Sequence, residues 1–181
     1  LSWQPRLKFQ VIREAAAPSC GSLSSRSGVI EITCTKTVVE QADPETLQKV
    51  LTIFLQQLFP GEHSVSLYLT DDMEMRELNR EFRERDQTTD VLSWSYWEDD
   101  PGTRCVGDLA VSLEQVTRQA QENGWPVETE LARMLAHGCA HLAGWDHERS
   151  EEEARKMLEL EIELLQLAGY SGIYSSGPSN K

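Results

Sequence analysis

Residues 137–147 read His-Gly-Cys-Ala-His-Leu-Ala-Gly-Trp-Asp-His and hold three of the four histidines in the chain. Few local structures let those three side chains act together. On a helix of 3.6 residues per turn, His137 and His141 share one face, with about 6 Å of axial rise between them. Gly144 follows where a residue that tolerates positive φ can end the helix and turn the chain back, so that His147 returns toward the other two. Three imidazoles with a fourth position open describe a catalytic zinc site, because structural zinc sites are closed by four protein ligands. His137, His141 and His147 are therefore the candidate metal ligands. Cys139 lies about 200° around the helix from His137 and is expected to face the core.

At 181 residues the chain is long enough for one domain with a substantial core. It has no apolar run of about 18 residues and no stretch with the charged start and apolar middle of a signal peptide. The expectation is a protein without a membrane span. Its cysteines, Cys20, Cys34, Cys105 and Cys139, form neither metal-type pairs nor a disulfide framework, which suits a reducing compartment. A formal net charge of -13 argues against nucleic-acid binding by bulk electrostatics. Much of that acid is local, however: Glu148, Glu151, Glu152, Glu153, Glu159, Glu161 and Glu163 gather in and just before one C-terminal helix, so the total does not describe any single groove.

Residues 1–28 are basic and then Ser/Gly-rich, and are assigned to an N-terminal extension, the remainder of a targeting segment or a docked edge element. The main domain is expected over 29–169. Val29 to Thr35 alternates as a strand, Asp43-Pro44 caps a helix carrying Leu47, Val50, Leu51, Phe54, Leu55 and Leu58, and Val65 to Leu69 alternates again. Strand, helix, strand predicts a parallel crossover. A helix capped by Asp71 with Glu74 follows, its inward stripe Met75, Leu78 and Phe82. Arg76 and Arg80 are expected on its ion-paired solvent face. The segment from Thr88 to Trp97 reads as a strand with a polar entrance, and Val106 to Ser112 as its antiparallel partner. A polar helix ends at Asn123-Gly124, and Pro126 opens the helix of the histidines. Ser150 with Glu153 caps the last helix, which carries Leu158, Leu160, Ile162, Leu164, Leu165 and Leu167 and ends at Gly169. Residues 170–181 are expected to be a disordered tail.

Three separated blocks, in order, resemble the YbeY family of metal-dependent endoribonucleases, also called rRNA maturation factors. They are Asn79 with Phe82-Arg83, then Thr89-Asp90-Val91-Leu92-Ser93-Trp94, and His137-Gly138 with His141-Leu142 and Gly144-Trp145-Asp146-His147; Gly107-Asp108 opens the expected partner strand. Trp94 stands where the family has phenylalanine, and Thr88 where proline is common. The resemblance implies an α/β (α+β) domain with a four-stranded mixed sheet and about five helices. It further implies one zinc ion on His137, His141 and His147, with His137 and Arg83 as catalytic residues. The implied activity is cleavage of single-stranded RNA, in maturation of the 3′ end of small-subunit rRNA and in ribosome quality control. The implied partners are an rRNA precursor and the small ribosomal subunit, in a bacterial cytoplasm or an organelle of bacterial descent, with no membrane role. The oligomeric state is not implied.

Chemistry gives these residues definite candidate roles. The Arg83 guanidinium suits two hydrogen bonds to a phosphate and the charge that grows on a phosphoryl transition state. Thr89 and Ser93 could orient RNA or simply serve the turn. Asp90 and Asp108 could bind substrate or cap local turns. Asp146 is expected to support a ligand histidine from behind, the alternative being a proton acceptor. The histidine and glycine spacing also matches metzincin proteases, yet Gly138 stands where a protease has its general-base glutamate. A metal-stabilised ribosome-assembly adaptor with little turnover is the other alternative, and it has no chemical need for Arg83 beside a metal.

Overall fold

The computed structural model describes residues 30–34 and 43–174. The extension 1–28, Val29, Thr35 and residues 175–181 of the expected tail lie outside the described residues.

The described elements are β1 (Ile30–Cys34), α1 (Pro44–Leu58), β2 (Ser64–Thr70), α2 (Asp72–Arg83), β3 (Val91–Ser95), β4 (Cys105–Ser112), α3 (Leu113–Asn123), α4 (Val127–Leu142) and α5 (Glu151–Leu167). The fold is α+β, with a mixed sheet in the order β1-β2-β4-β3. β1 runs parallel to β2 across α1, β2 is parallel to β4, and β3 is antiparallel to β4. Both sequence expectations about connection, the crossover and the hairpin, hold. β3 is shorter than expected, because Thr88 to Asp90 form its approach and Tyr96-Trp97 its exit.

Strand alternation sends alternate residues to two different cores. Val65, Leu67, Leu69, Leu109 and Val111 join residues of α1, α3, α4 and α5 in the larger one. Tyr68, Leu92, Trp94 and Ala110 meet Met75 and Leu78 of α2 in the smaller one, on the other face of the sheet. α4 is the centre of the larger core, packing on β3, β4, α1, α3 and α5. Cys139 is fully buried there, as its place on the helix requires. Burial pushes its thiol up to about 12, which keeps it protonated and packed.

The inward face of α5 is Met157, Glu161, Leu164 and Leu165, while Leu158 and Leu167 are exposed. The buried stripe of this helix is thus narrower than its apolar content. Residues 170–174 of the expected tail are described, and Ile173 is buried in the larger core. Gly169, at φ +91°, ends α5, and the Tyr170 amide then donates to the Leu165 carbonyl at 2.8 Å, which directs the chain back onto the domain. Among the described residues no helix is long and apolar enough to cross a membrane.

Candidate metal centre and cleft

The end of α4 is built to bring one histidine back to two others. After Ala143 the Gly144 amide donates to the His141 carbonyl at 3.0 Å and the Trp145 amide to the Ala140 carbonyl at 3.1 Å. This is the paired closure that a glycine in the left-handed region permits, and Gly144 sits at φ +90°. Ser95, on β3, donates its hydroxyl to the Leu142 carbonyl at 2.8 Å, tying the helix end to the sheet edge. The result is a cluster of His137, His141 and His147 with one nitrogen from each within 4.8 Å of the others.

Hydrogen bonds fix which nitrogens face inward. His137 Nδ1 lies 2.8 Å from Glu161 Oε1, and His141 Nδ1 lies 2.8 Å from the Trp145 carbonyl. Both partners are acceptors, so both rings carry their proton on Nδ1. Their Nε2 atoms face one another at 3.2 Å, with lone pairs converging on the same space. Two ligands at about 2.0–2.1 Å from a tetrahedral ion stand about 3.3 Å apart. The donor set therefore fits a metal ion, and His147, exposed on the turn, is the candidate ligand with room to adjust. Burial and the neighbouring charge of His137 hold His141 below the usual imidazole range, which favours the neutral, ligating form.

Glu161 was not singled out from the sequence as a site residue. It was counted with the acids of the last helix, yet its place beside Met157, Leu164 and Leu165 on the inward face marks a carboxylate turned toward the core. It is 5% exposed. Burial pushes its carboxyl up, but hydrogen bonds with His137 and Tyr174 and the charges of His137 and Arg133 outweigh this and hold it below the ordinary carboxylate range. An ionised acceptor behind a ligand imidazole is the usual device for orienting it. Asp146, expected in that position, does something else. It accepts from the Glu148 amide at 2.9 Å and pairs with Arg149 at 3.3 Å; the Glu148 amide is the main reason its carboxyl is held low. Asp146 is a turn residue of the loop that carries His147.

The histidines open onto a cleft of about 680 Å³ lined also by Arg83, Thr89, Asp90, Ser93 and Asp146. The sequence candidates thus meet in one place, although they come from opposite faces of the sheet. Arg83 ends α2, on the face of the smaller core, and reaches edge strand β3, where its Nη2 donates to the Ser93 carbonyl at 2.9 Å. Phe82, the residue before it, stacks edge-on against Trp94 with ring centroids 5.3 Å apart. Buried Asn79 donates to the Gln87 carbonyl at 2.8 Å, which anchors the segment between α2 and β3. Glu84 bends that segment sharply at φ +58°. Thr89 donates to Asp90 at 3.3 Å, and the Asp90 carboxylate accepts from the Val91 amide at 2.8 Å and from Gln119 at 3.0 Å. Asp90 thus holds the entrance of β3 against α3 as well as lining the cleft. Asp108 is 4% exposed and accepts a hydrogen bond from the Tyr96 hydroxyl, so its substrate-binding alternative is set aside in favour of a structural one. Arg76 pairs with Asp86 at 2.8 Å on the surface, as its stripe suggested.

Gly138 explains why the metzincin likeness stops at spacing. It is buried against the sheet, and a Cβ there would stand 2.8 Å from Leu109 Cδ2 and 3.3 Å from Val91 Cγ2. A glutamate at this position would be directed into β3 and β4, so α4 has no room for the protease base.

The comparisons with known proteins agree with these features. A family model described as Endoribonuclease YbeY matches residues 30–169. The Endoribonuclease YbeY of Aquifex aeolicus is 40% identical over 121 residues, covering 67% of this chain and 81% of that protein. The Endoribonuclease YbeY of Persephonella marina is 38% identical over 133 residues, 72% of this chain and 84% of the relative. That of Malacoplasma penetrans is 32% identical over 146 residues, 80% of this chain and 97% of the relative. The solution structure of TM1509 from Thermotoga maritima superposes with a TM-score of 0.50 at 27% identity, over 84% of this chain and 99% of that one. With the matched region spanning the cleft, the three histidines and the sheet that supports them, the chain belongs to the YbeY family.

Proposed function

We propose that this protein is a metal-dependent endoribonuclease that cuts single-stranded RNA, with zinc held by His137, His141 and His147. The supporting observation is the placement of Arg83 in the same cleft as the three histidines. An ion there would supply Lewis acidity toward a phosphoryl oxygen and toward water. The remaining chemistry belongs to the chain. Glu161 and the Trp145 carbonyl hold the His137 and His141 rings with Nε2 directed into the cleft. Arg83, steadied by the Ser93 carbonyl, is assigned to phosphate: its remaining N–H groups can take a phosphodiester and stabilise the charge that develops on it. Thr89 and Ser93 line the approach and are assigned to orienting the strand.

The cleft is mixed in charge, with Arg83, Arg85 and Arg149 facing Asp90, Glu98, Asp146 and Glu148. Such a surface can neutralise only a few phosphates, which suits contact with a short stretch of RNA. The relatives are bacterial proteins named as endoribonucleases, which supports a nuclease role in rRNA processing. The proposed substrate is the precursor 3′ end of small-subunit rRNA, engaged on or near the small subunit in a bacterial-type cytoplasm or an organelle of bacterial descent, with a role in ribosome quality control. An adaptor without turnover would have no need of an arginine beside the three histidines.

The test is cleavage of small-subunit precursor RNA by the wild type, His137→Ala and Arg83→Ala, with metal content measured on each preparation. The expected result is cleavage by the wild type alone, metal retained in Arg83→Ala and reduced in His137→Ala. Equal cleavage by all three proteins would refute the reading.

A further inference from the structure

The segment after α5 is tied to the metal cluster by one hydroxyl. Tyr174 donates to Glu161 Oε2 at 2.7 Å, and the other oxygen of that carboxylate faces His137 Nδ1 at 2.8 Å. We propose that Tyr174 is a positioning residue for the metal centre, setting the orientation and tautomer of His137 through Glu161. The inference rests on the metal reading given above and assigns a part in it to a stretch of chain that lies outside the histidine motif.

The geometry argues for a specific role. A buried carboxylate can rotate unless both oxygens are engaged. Here Oε1 receives the His137 proton and Oε2 receives the Tyr174 proton, so one rotamer satisfies both donors. That rotamer keeps His137 protonated on Nδ1 and leaves Nε2 for the ion. Arg133, one helical turn before His137 on α4, is held to buried Glu130 at 2.9 Å. Tyr174 is itself carried to this place by three attachments. The Tyr170 amide closes on the Leu165 carbonyl, the Tyr170 hydroxyl donates to Glu128 at 3.1 Å, and Ile173 is 7% exposed in the larger core. Of the described groups in this segment, the Tyr174 hydroxyl is the one that touches the carboxylate behind the histidine, so its effect on the metal is separable from docking of the segment.

The test compares wild type, Tyr174→Phe, Glu161→Gln and Tyr170→Phe in the full chain. Two quantities are read: zinc affinity by competition with a chromogenic chelator, and the ¹⁵N shifts of His137 in metal-free protein. Loss of a direct partner of a ligand histidine weakens metal binding about 10–100-fold, which is expected for Glu161→Gln. Tyr174→Phe, one bond further away, is expected to weaken it about three- to tenfold and to move the His137 nitrogens toward a mixture of tautomers. Tyr170→Phe is expected to change neither. Wild-type affinity and unchanged His137 shifts in Tyr174→Phe would overturn the proposal. So would equal losses in Tyr170→Phe and Tyr174→Phe, because docking and not the hydroxyl would then control the site. Failure of the wild type to bind zinc would overturn the metal reading instead, and the His137 shifts would still decide whether Tyr174 sets the tautomer.

Discussion

His137 and His141 present their Nε2 atoms to one another across 3.2 Å while each Nδ1 is held by an oxygen acceptor. Two lone pairs in that arrangement repel unless a cation lies between them, so the folded protein should gain stability from metal. A ligand that binds only the folded state stabilises it by about 2.7 kcal/mol at a hundredfold excess over its dissociation constant. For a chain of this size that corresponds to a rise in Tm of about 5–10 °C. Thermal unfolding with and without chelator, followed by zinc restoration, is the measurement. Identical Tm values in chelator and in excess zinc would count against the site.

Arg83→Ala should lower single-strand cleavage by about 100-fold or more, the scale seen when one donor to a developing oxyanion is removed. Metal content and Tm should stay close to wild type, because Arg83 is exposed and its described bond is to the Ser93 carbonyl. Arg83→Lys should recover only part of the activity, since an ammonium cannot reproduce a two-point contact with phosphate. Full activity in Arg83→Lys would show that charge alone is needed.

Why some of this was legible in the sequence, and some not, follows from the range of each interaction. The helix end at Gly144 is local: three histidines and a glycine at fixed spacing state their own geometry. The β1-α1-β2 crossover and the β3-β4 hairpin are also local, being written in alternation and helical periodicity. Glu161 is different. Its bond to His137 joins two helices 24 positions apart in the chain, and the only sequence trace is an acid on the inward stripe of α5, hidden among many exposed glutamates. Asp146 was a reasonable nearest carboxylate, but its neighbours Glu148 and Arg149 take it first. Arg83 came into view only through resemblance, because its path to the cleft passes from one face of the sheet around the edge strand. Tyr174 lies in a Ser/Gly-rich stretch, and composition alone gave no sign that Ile173 would be buried.

Gly138 offers a direct test of the protease alternative. Placing a glutamate there restores the sequence pattern of the metzincins, yet its Cβ would be within 2.8 Å of Leu109. Overpacking a core of this kind costs about 1–3 kcal/mol, and burying a carboxylate adds to that. Gly138→Glu should therefore unfold at lower temperature and show no peptidase activity on an unfolded protein substrate. Gly138→Ala should be destabilised to a smaller degree. Metal-dependent proteolysis by Gly138→Glu at wild-type stability would mean that α4 can move off the sheet far enough to expose a general base.

The mixed charge of the cleft makes a quantitative statement about RNA binding. Each phosphate neutralised on a single strand contributes about -0.7 to the slope of log affinity against log salt concentration. Arg83, Arg85 and Arg149 are the arginines along the cleft, and Arg149 is already paired with Asp146. Two to three phosphate contacts then predict a slope of about -1.4 to -2.1 for a short single-stranded RNA. Binding to a non-cleavable strand, measured by fluorescence anisotropy across a salt series, gives this slope directly. Arg85→Ala should reduce its magnitude by about 0.7 without altering metal content. A slope steeper than about -4 would require more phosphate contacts than the cleft arginines can make, and would place the main RNA-binding surface elsewhere on the chain.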